Sequence, residues 1–332
     1  MVPRTYARRD LFPLIAAALA STHAACRRET QTGTAPAIPS TAESAPPLAS
    51  AAAPIASAPP EPRAGLRILD WTFPPDLSAS FEAAFARRAL ILMPDDIPEG
   101  VKLPVLVALH GMGETTDPTT GANGWLKAYE LDIAIKNLKK PPVEEDAYRG
   151  FITQPRLEQV NVALQKQPYQ GMIIATPYVP RSINLEVSWA DYGRFLGEAL
   201  VPRIYKELPA IGTVKSTGID GVSLGGITAL TVGLMRGDVF GAVGALQPAV
   251  FDAAQADRIA DDAAKKLGGR PLRITTSEGD VYHDALVTFD QKLTQRKIAH
   301  EFAVYPGPHD YIWNKGPGAM EMLLWHDRVL RT

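Results

Sequence analysis

From residue 65 onward, short apolar runs alternate with stretches in which apolar residues recur every three or four positions. The apolar runs predict eight strands, and the periodic stretches predict seven helices. In residues 155–166, for example, Leu157, Val160 and Leu164 fall on one helical face. The predicted strands cover residues 66–73, 87–93, 104–109, 171–176, 214–219, 241–246, 272–276 and 301–305. The predicted helices lie near residues 125–139, 155–166, 190–206, 224–235, 254–267, 283–297 and 318–330.

The central strands predict the fold class. Residues 105–109 and 172–175 are apolar throughout, which is typical of strands that are covered on both faces. Strands that alternate with helices indicate a mostly parallel sheet. We therefore predict an α/β domain over residues 65–332, with a mostly parallel eight-stranded sheet and helices on both faces.

The first 26 residues have the features of an export signal. Arg8 and Arg9 precede a ten-residue apolar stretch over residues 11–20, which is too short to span a membrane. The Arg8-Arg9 pair resembles a twin-arginine signal, and the stretch ending at Cys26 resembles a bacterial lipobox, in which the cysteine receives lipid. His23 stands where lipoboxes usually have leucine. The alternative is ordinary cleavage near Ala20, which would leave Cys26 as a free thiol.

Residues 27–64 predict a disordered tether. Of the 35 residues from 30 to 64, 27 are Ala, Pro, Ser or Thr, and eight of these are proline. Such a segment buries too little apolar surface to offset the entropy of ordering. A lipidated Cys26 followed by this tether would hold the domain at a membrane surface, and we expect an exported protein of the cell envelope.

Composition excludes several classes of protein. The chain has 332 residues, with 34 basic and 36 acidic side chains and a net charge of -2, so no basic surface is expected to attract nucleic acid. The single cysteine excludes a disulfide framework within the chain. Sequence-adjacent His-Asp pairs occur at His283, His309 and His326, but without the i, i+4 histidine spacing or the HExxH pattern of a zinc site. No metal or other cofactor is expected.

The most specific local signal is the run Gly221-Val222-Ser223-Leu224-Gly225, a G-x-S-x-G nucleophile elbow between a predicted strand and helix. Gly221 and Gly225 are required because larger side chains would collide in so tight a turn. The serine hydroxyl would stand at the N-terminus of a helix, where a developing anion is stabilised. The alternative is a glycine-rich structural turn.

The run His110-Gly111-Met112-Gly113 directly follows the predicted strand 104–109. An HG turn at this place can direct a backbone N–H toward the nucleophile. We expect the backbone N–H groups of Met112 and Leu224 to form an oxyanion hole.

A serine nucleophile needs a base and a carboxylate that orients the base. Among six histidines, His309 is the candidate base because it follows the last predicted strand, at the edge of the sheet where Ser223 lies. Asp280 follows the preceding strand and gives the chain order Ser, Asp, His. Glu278 and Asp284 are competing carboxylates, and an N-cap is the structural alternative for Asp280.

These motifs resemble the putative-esterase branch of the α/β-hydrolase superfamily over residues 87–309. The resemblance implies an α/β-hydrolase fold and cofactor-free hydrolysis of a small or polymer-borne carboxylic ester by Ser223, Asp280 and His309. The sequence departs from these relatives at Gln247-Pro248, where they commonly have a small serine-containing turn, and in the long segment 114–170. An inactive binding module, a serine peptidase and an acyltransferase are alternatives on the same scaffold.

Overall fold

The computed structural model describes residues 65–74, 87–181 and 189–331 of the chain. Eight strands form one sheet in the order β1-β2-β4-β3-β5-β6-β7-β8. β1 is antiparallel to β2 and β2 is antiparallel to β4, whereas the remaining neighbours are parallel. The strands are β1 (Leu66–Phe73), β2 (Arg87–Pro94), β3 (Val105–Leu109), β4 (Ile173–Pro177), β5 (Thr217–Gly221), β6 (Ala242–Leu246), β7 (Leu272–Gly279) and β8 (Glu301–Pro308).

In the described chain, helices follow β3 and every later strand. The long helix before β5 passes from Trp189–Arg194 to Val201–Glu207 through a π-helical turn over Phe195–Leu200, just before Pro202. A similar turn over Asn314–Gly318 joins the helices Tyr311–Trp313 and Ala319–Val329. The helices are α1 (Pro118–Asn123), α2 (Leu131–Leu138), α3 (Gln154–Lys166), α4 (Trp189–Arg194), α5 (Val201–Glu207), α6 (Leu224–Met235), α7 (Ala253–Lys266), α8 (His283–Gln295), α9 (Tyr311–Trp313) and α10 (Ala319–Val329).

Apolar cores on both faces explain why the central strands are hydrophobic throughout. In β3, Val105, Val107 and Leu109 belong to one core, while Leu106 and Ala108 belong to the core on the other face. All five side chains are fully buried. The predicted mostly parallel, eight-stranded sheet is therefore confirmed.

The predicted helix over residues 125–139 is wrong in its bounds. Asp117 caps a helix that begins earlier, since its side chain accepts hydrogen bonds from the N–H groups of Thr119 and Thr120. Glu130 has a left-handed backbone with φ 52°, which interrupts the helical hydrogen bonds before α2.

The predicted strand over residues 214–219 also begins too early. Residues Val214–Ser216 form a 3-10 turn because the Thr213 side chain accepts a hydrogen bond from the Ser216 N–H. The strand proper runs from Thr217 to Gly221, directly into the elbow.

β7 and β8 extend three residues beyond the predicted ends. Their pairing continues past an irregularity at Ser277/Gly279 to the pair Gly279↔Pro308. The predicted loop at 306–308 is thus part of a strand, and His309 follows that strand directly.

The predicted signal, Cys26 and the tether lie outside the described residues. Within the described ranges, no helix is both long enough and apolar enough to cross a membrane.

Candidate active site

The elbow at the end of β5 places Ser223 in a strained backbone conformation. Ser223 has φ 56° and ψ -113°, which is a rare combination for a residue with a side chain. A Cβ atom on Gly221 would lie 2.5 Å from the Gly225 carbonyl oxygen, and one on Gly225 would lie 2.4 Å from the Leu109 carbonyl oxygen. Only glycine fits at these two positions, so the sharp turn depends on both.

Helix α6 begins immediately after Ser223, so its first N–H groups face the same end of the sheet. Ser223 is half-buried, and its hydroxyl has no hydrogen-bond partner within the described part of the chain. The first turn of α6 therefore offers the Leu224 N–H to a developing negative charge near the hydroxyl.

Asp280 and His309 form a hydrogen-bonded pair. His309 Nδ1–H donates to Asp280 Oδ1 at 2.8 Å. The Asp280 side chain is fully buried, and it also accepts hydrogen bonds from the Tyr282 N–H at 3.0 Å and the Thr276 hydroxyl at 2.7 Å. These bonds fix the carboxylate, which in turn fixes the tautomer of the imidazole and leaves Nε2 available as a base.

Burial and contacts distinguish the three candidate carboxylates. Glu278 and Asp284 are exposed, whereas Asp280 contacts His309. The ring of Tyr282 packs edge-on against His309 with centroids 5.4 Å apart, and burial raises the pKa of the Tyr282 hydroxyl. The strand pair Gly279↔Pro308 immediately precedes Asp280 and His309, and this explains why they meet.

Gln247 links the elbow to the histidine, a role that the sequence did not indicate. The Ser223 N–H donates to the Leu246 carbonyl at 3.0 Å. The next residue, Gln247, is fully buried and donates from Nε2 to the Pro308 carbonyl at 3.0 Å and to Ser277 Oγ at 2.7 Å. Short hydrogen-bonded steps thus connect the backbone of Ser223 to the residue before His309.

The turn after β3 packs against the elbow. His110 is buried; its Nδ1–H donates to the Gly111 carbonyl at 2.8 Å, and its Nε2 accepts from the Val179 N–H at 2.8 Å. Because the C=O and N–H bonds of a trans peptide point in opposite directions, the hydrogen bond that holds the Gly111 carbonyl also fixes the direction of the Met112 N–H. His110 therefore orients the peptide whose N–H was expected to bind an oxyanion.

A tyrosine and a glutamate hold the other end of this turn. The Gly111 N–H donates to the Tyr129 hydroxyl at 3.0 Å, and that hydroxyl donates to the buried Glu114 carboxylate. Burial and Glu114 together raise the pKa of the Tyr311 hydroxyl to about 12, and this hydroxyl lies over the backbone of Gly113. Glu114, Tyr129 and Tyr311 therefore stabilise the conformation of the turn.

Acid is expected to destabilise the protein through His110. Burial lowers the pKa of this imidazole from 6.5 to about 4, although its hydrogen bond to Gly111 opposes the change. The unfolded chain then binds more protons than the folded chain, so the free energy of unfolding falls as the pH drops from 6.5 toward 4. At pH 4.5 the loss is about 2–3 kcal/mol.

The measurement is urea unfolding at pH 7 and pH 4.5 for wild type and His110→Asn, with His283→Gln as the control at a less buried histidine. The asparagine variant should lose less stability between the two pH values than wild type and the control. An identical loss in all three would contradict the role of His110.

Two cavities flank these elements. One, of about 390 Å³, adjoins the 110–113 turn and is lined by Gly113, Glu114, Asn123, Lys127 and Tyr311 among others. The larger one, of about 620 Å³, lies along β8 and α10 and contains neither Ser223 nor His309. The smaller cavity is also not lined by Ser223 or His309, and Gly113 is its one residue from the 110–113 turn.

A family model and several solved structures resemble this chain. The model of the family described as "Putative esterase" matches residues 183–315, a range that includes Ser223, Asp280 and His309 but not the 110–113 turn. No curated protein matches the chain significantly.

Several solved structures share the fold. A ferulic acid esterase is 20% identical, with a TM-score of 0.57, over 80% of this chain and 98% of its own. An S-formylglutathione hydrolase from Staphylococcus aureus is 14% identical, with a TM-score of 0.53, over 79% and 99%. Fluorophosphonate-binding serine hydrolase F from the same organism is also 14% identical, with a TM-score of 0.56, over 79% and 99%.

The predicted α/β-hydrolase fold is thus confirmed. The family match and this shared fold together support the conclusion that the chain is a carboxylic-ester hydrolase of the esterase branch. In the described residues, no three His, Cys, Asp or Glu side chains group as metal ligands.

Proposed function

We propose that this protein hydrolyses a carboxylic ester through an acyl-enzyme on Ser223, with His309 as base and Asp280 as the carboxylate that orients it. The observation that carries the proposal is the 2.8 Å hydrogen bond between His309 and a fully buried Asp280, at the edge of the sheet that bears the Ser223 elbow. A binding module with an inactive hydrolase fold would not need this pair.

The reaction has two halves. In the first, His309 Nε2 takes the Ser223 proton as the hydroxyl attacks the ester carbonyl, and the Met112 and Leu224 N–H groups stabilise the oxyanion. The tetrahedral intermediate collapses, the C–O bond to the alcohol breaks, and the imidazolium gives the alcohol its proton. In the second half, His309 activates water, which attacks the acyl-enzyme and releases the acid and free Ser223.

Exposed apolar side chains around His309 favour an ester with an apolar part. Phe251 is 67% exposed and packs edge-on against Tyr282 at 5.4 Å, and Tyr282 contacts His309. Tyr311, two residues after His309 in the sequence, is 47% exposed. Since one structural neighbour is a ferulic acid esterase, esters of aromatic acids are the first class to test.

The experiment is a panel of 4-nitrophenyl esters, with acyl chains of two to twelve carbons and cinnamoyl and feruloyl esters, assayed with and without a chelator. We expect turnover that a chelator does not change and a preference for acyl groups larger than acetyl. Amide turnover above ester turnover would favour a peptidase, and transfer to an added alcohol in place of water would favour an acyltransferase. Absence of all three would favour the binding module.

We also propose that the protein is exported and attached to the envelope membrane through a lipidated Cys26, at the periplasmic or outer-membrane surface. The support is the sequence of residues 1–64. Palmitate supplied to expressing cells should label wild type but not Cys26→Ser. Absence of label from both, with a soluble product, would indicate ordinary signal cleavage.

A further inference from the structure

A second histidine–aspartate pair lies directly under the elbow. His326 on α10 is fully buried, and its Nε2–H donates to Asp220 Oδ2 at 3.0 Å. Asp220, on β5, is 2% exposed, and its other oxygen accepts a hydrogen bond from the Gly221 N–H at 2.7 Å. The carboxylate therefore connects α10 to the first glycine of the elbow, two residues before Ser223.

This carboxylate occupies a gap in the sheet. β5 pairs with β6 at Gly218↔Ala242 and Ile219↔Val243, and the bridge resumes at Val222↔Leu246. Within the gap, a Cβ atom on Gly244 would lie 2.0 Å from Asp220 Oδ2. The Gly221 N–H is thus satisfied by the Asp220 side chain rather than by β6, and glycine at 244 leaves room for it.

The position of His326 is equally constrained. A Cβ atom on Gly218 would lie 2.5 Å from His326 Nδ1, so the imidazole packs directly on the backbone of β5. Nδ1 is buried without a hydrogen-bond partner in the described residues. The bond to Asp220 therefore orients the ring.

Helix α10 is also bonded to the two other strands that end at the site. Arg273 on β7 donates from Nη1 to the Glu321 carbonyl at 2.8 Å and from Nη2 to its carboxylate at 3.1 Å. Trp325 Nε1–H donates to the Glu301 carboxylate on β8 at 2.7 Å. One helix thus contacts β5, β7 and β8, which end next to the three proposed catalytic side chains.

We propose that Asp220 and His326 are positioning residues that hold the elbow, and with it Ser223 and the Leu224 N–H, in the reactive geometry. The proposal rests on the proposed serine mechanism. Neither side chain reaches the substrate; they act through the Gly221 backbone. A displacement of about 1 Å in a catalytic group can lower the rate about 10²-fold.

The test compares His326→Leu, which removes the hydrogen bond, with His326→Gln, which keeps an N–H donor. The matched control is Met322→Ala, a fully buried change on the same helix at a side chain with no hydrogen bond to β5. Each purified protein is titrated for reactive sites with a fluorophosphonate, and kcat and KM are measured for one small aryl ester well below its thermal midpoint.

We expect His326→Leu to lower kcat and the rate of fluorophosphonate labelling about 10- to 100-fold, with KM within about twofold of wild type. His326→Gln should recover kcat to within about fivefold of wild type. Met322→Ala should lower the thermal midpoint and leave kcat unchanged. If His326→Leu does not fold, the isosteric Asp220→Asn replaces it and should lower kcat in the same direction.

A purely structural role would give a different result. The positioning proposal is overturned if His326→Leu, or Asp220→Asn in its place, loses stability while kcat stays within twofold of wild type. It is also overturned if Met322→Ala lowers kcat as much. Wild-type protein that neither turns over esters nor reacts with the fluorophosphonate would overturn both this proposal and the proposed function.

Discussion

Ser223→Ala should abolish fluorophosphonate labelling and lower kcat for the best ester about 10⁴- to 10⁶-fold, to near the detection limit. The reason is that the hydroxyl is the only atom of the elbow that can form the acyl bond. The elbow backbone, the helix N-terminus and the Asp280–His309 pair should persist in the variant. Substrate binding should therefore remain, and the loss should fall on kcat.

The control is Ser216→Ala, a buried serine just before β5 and at the opposite end of that strand from the elbow. It should label and turn over like wild type. Thermal unfolding of both variants should stay within a few degrees of wild type, because Ser223 is half-buried and its hydroxyl makes no hydrogen bond in the described residues. Labelling that survives in Ser223→Ala would contradict the serine mechanism.

The parts of the fold that could be predicted are those in which the local sequence and the tertiary structure agree. Residues 105–109 are apolar because both faces of β3 are covered, so pattern and burial coincide. The elbow was equally visible, because its two glycines are required by contacts within a few residues or with the adjacent strand.

The ends of β7 and β8 could not be predicted in this way. Ser277-Glu278-Gly279 and Pro306-Gly307-Pro308 are rich in residues that usually terminate strands. They continue as strands because each pairs with the other, and such pairing depends on tertiary structure. The geometry of the Asp280–His309 pair depends on this pairing, so the sequence indicated the residues but not how they are held.

The polar residues that support the site were missed for a related reason. Gln247 and Tyr129 each bond a backbone group that is distant in sequence, and Asp220 is held by His326, which is also distant in sequence. One signal was available. Asp220 lies at the end of the strand that precedes the elbow, and His326 directly follows the apolar run 322–325. Polar residues that are buried in such places need partners.

Asp280→Asn should lower kcat/KM for the best ester about 10⁴-fold, which corresponds to about 5 kcal/mol of transition-state stabilisation. The carboxylate now accepts hydrogen bonds from the His309 Nδ1–H, the Tyr282 N–H and the Thr276 hydroxyl. An amide of the same shape keeps one acceptor and replaces the other oxygen with a donor. It also removes the negative charge that stabilises the imidazolium formed when His309 takes the serine proton.

The matched controls are Asp284→Asn and Glu278→Gln, which remove the same charge from exposed positions near Asp280. Both should stay within about threefold of wild type, since exposed charges are screened by solvent. Fluorophosphonate labelling of Asp280→Asn should be slow but should still occur at Ser223, because the nucleophile is intact. A large loss of kcat/KM in Asp284→Asn with a small loss in Asp280→Asn would contradict the assignment of Asp280. The esterase reaction could still stand, but Asp284 would then be the carboxylate that orients His309, and His309 would have to move to reach it.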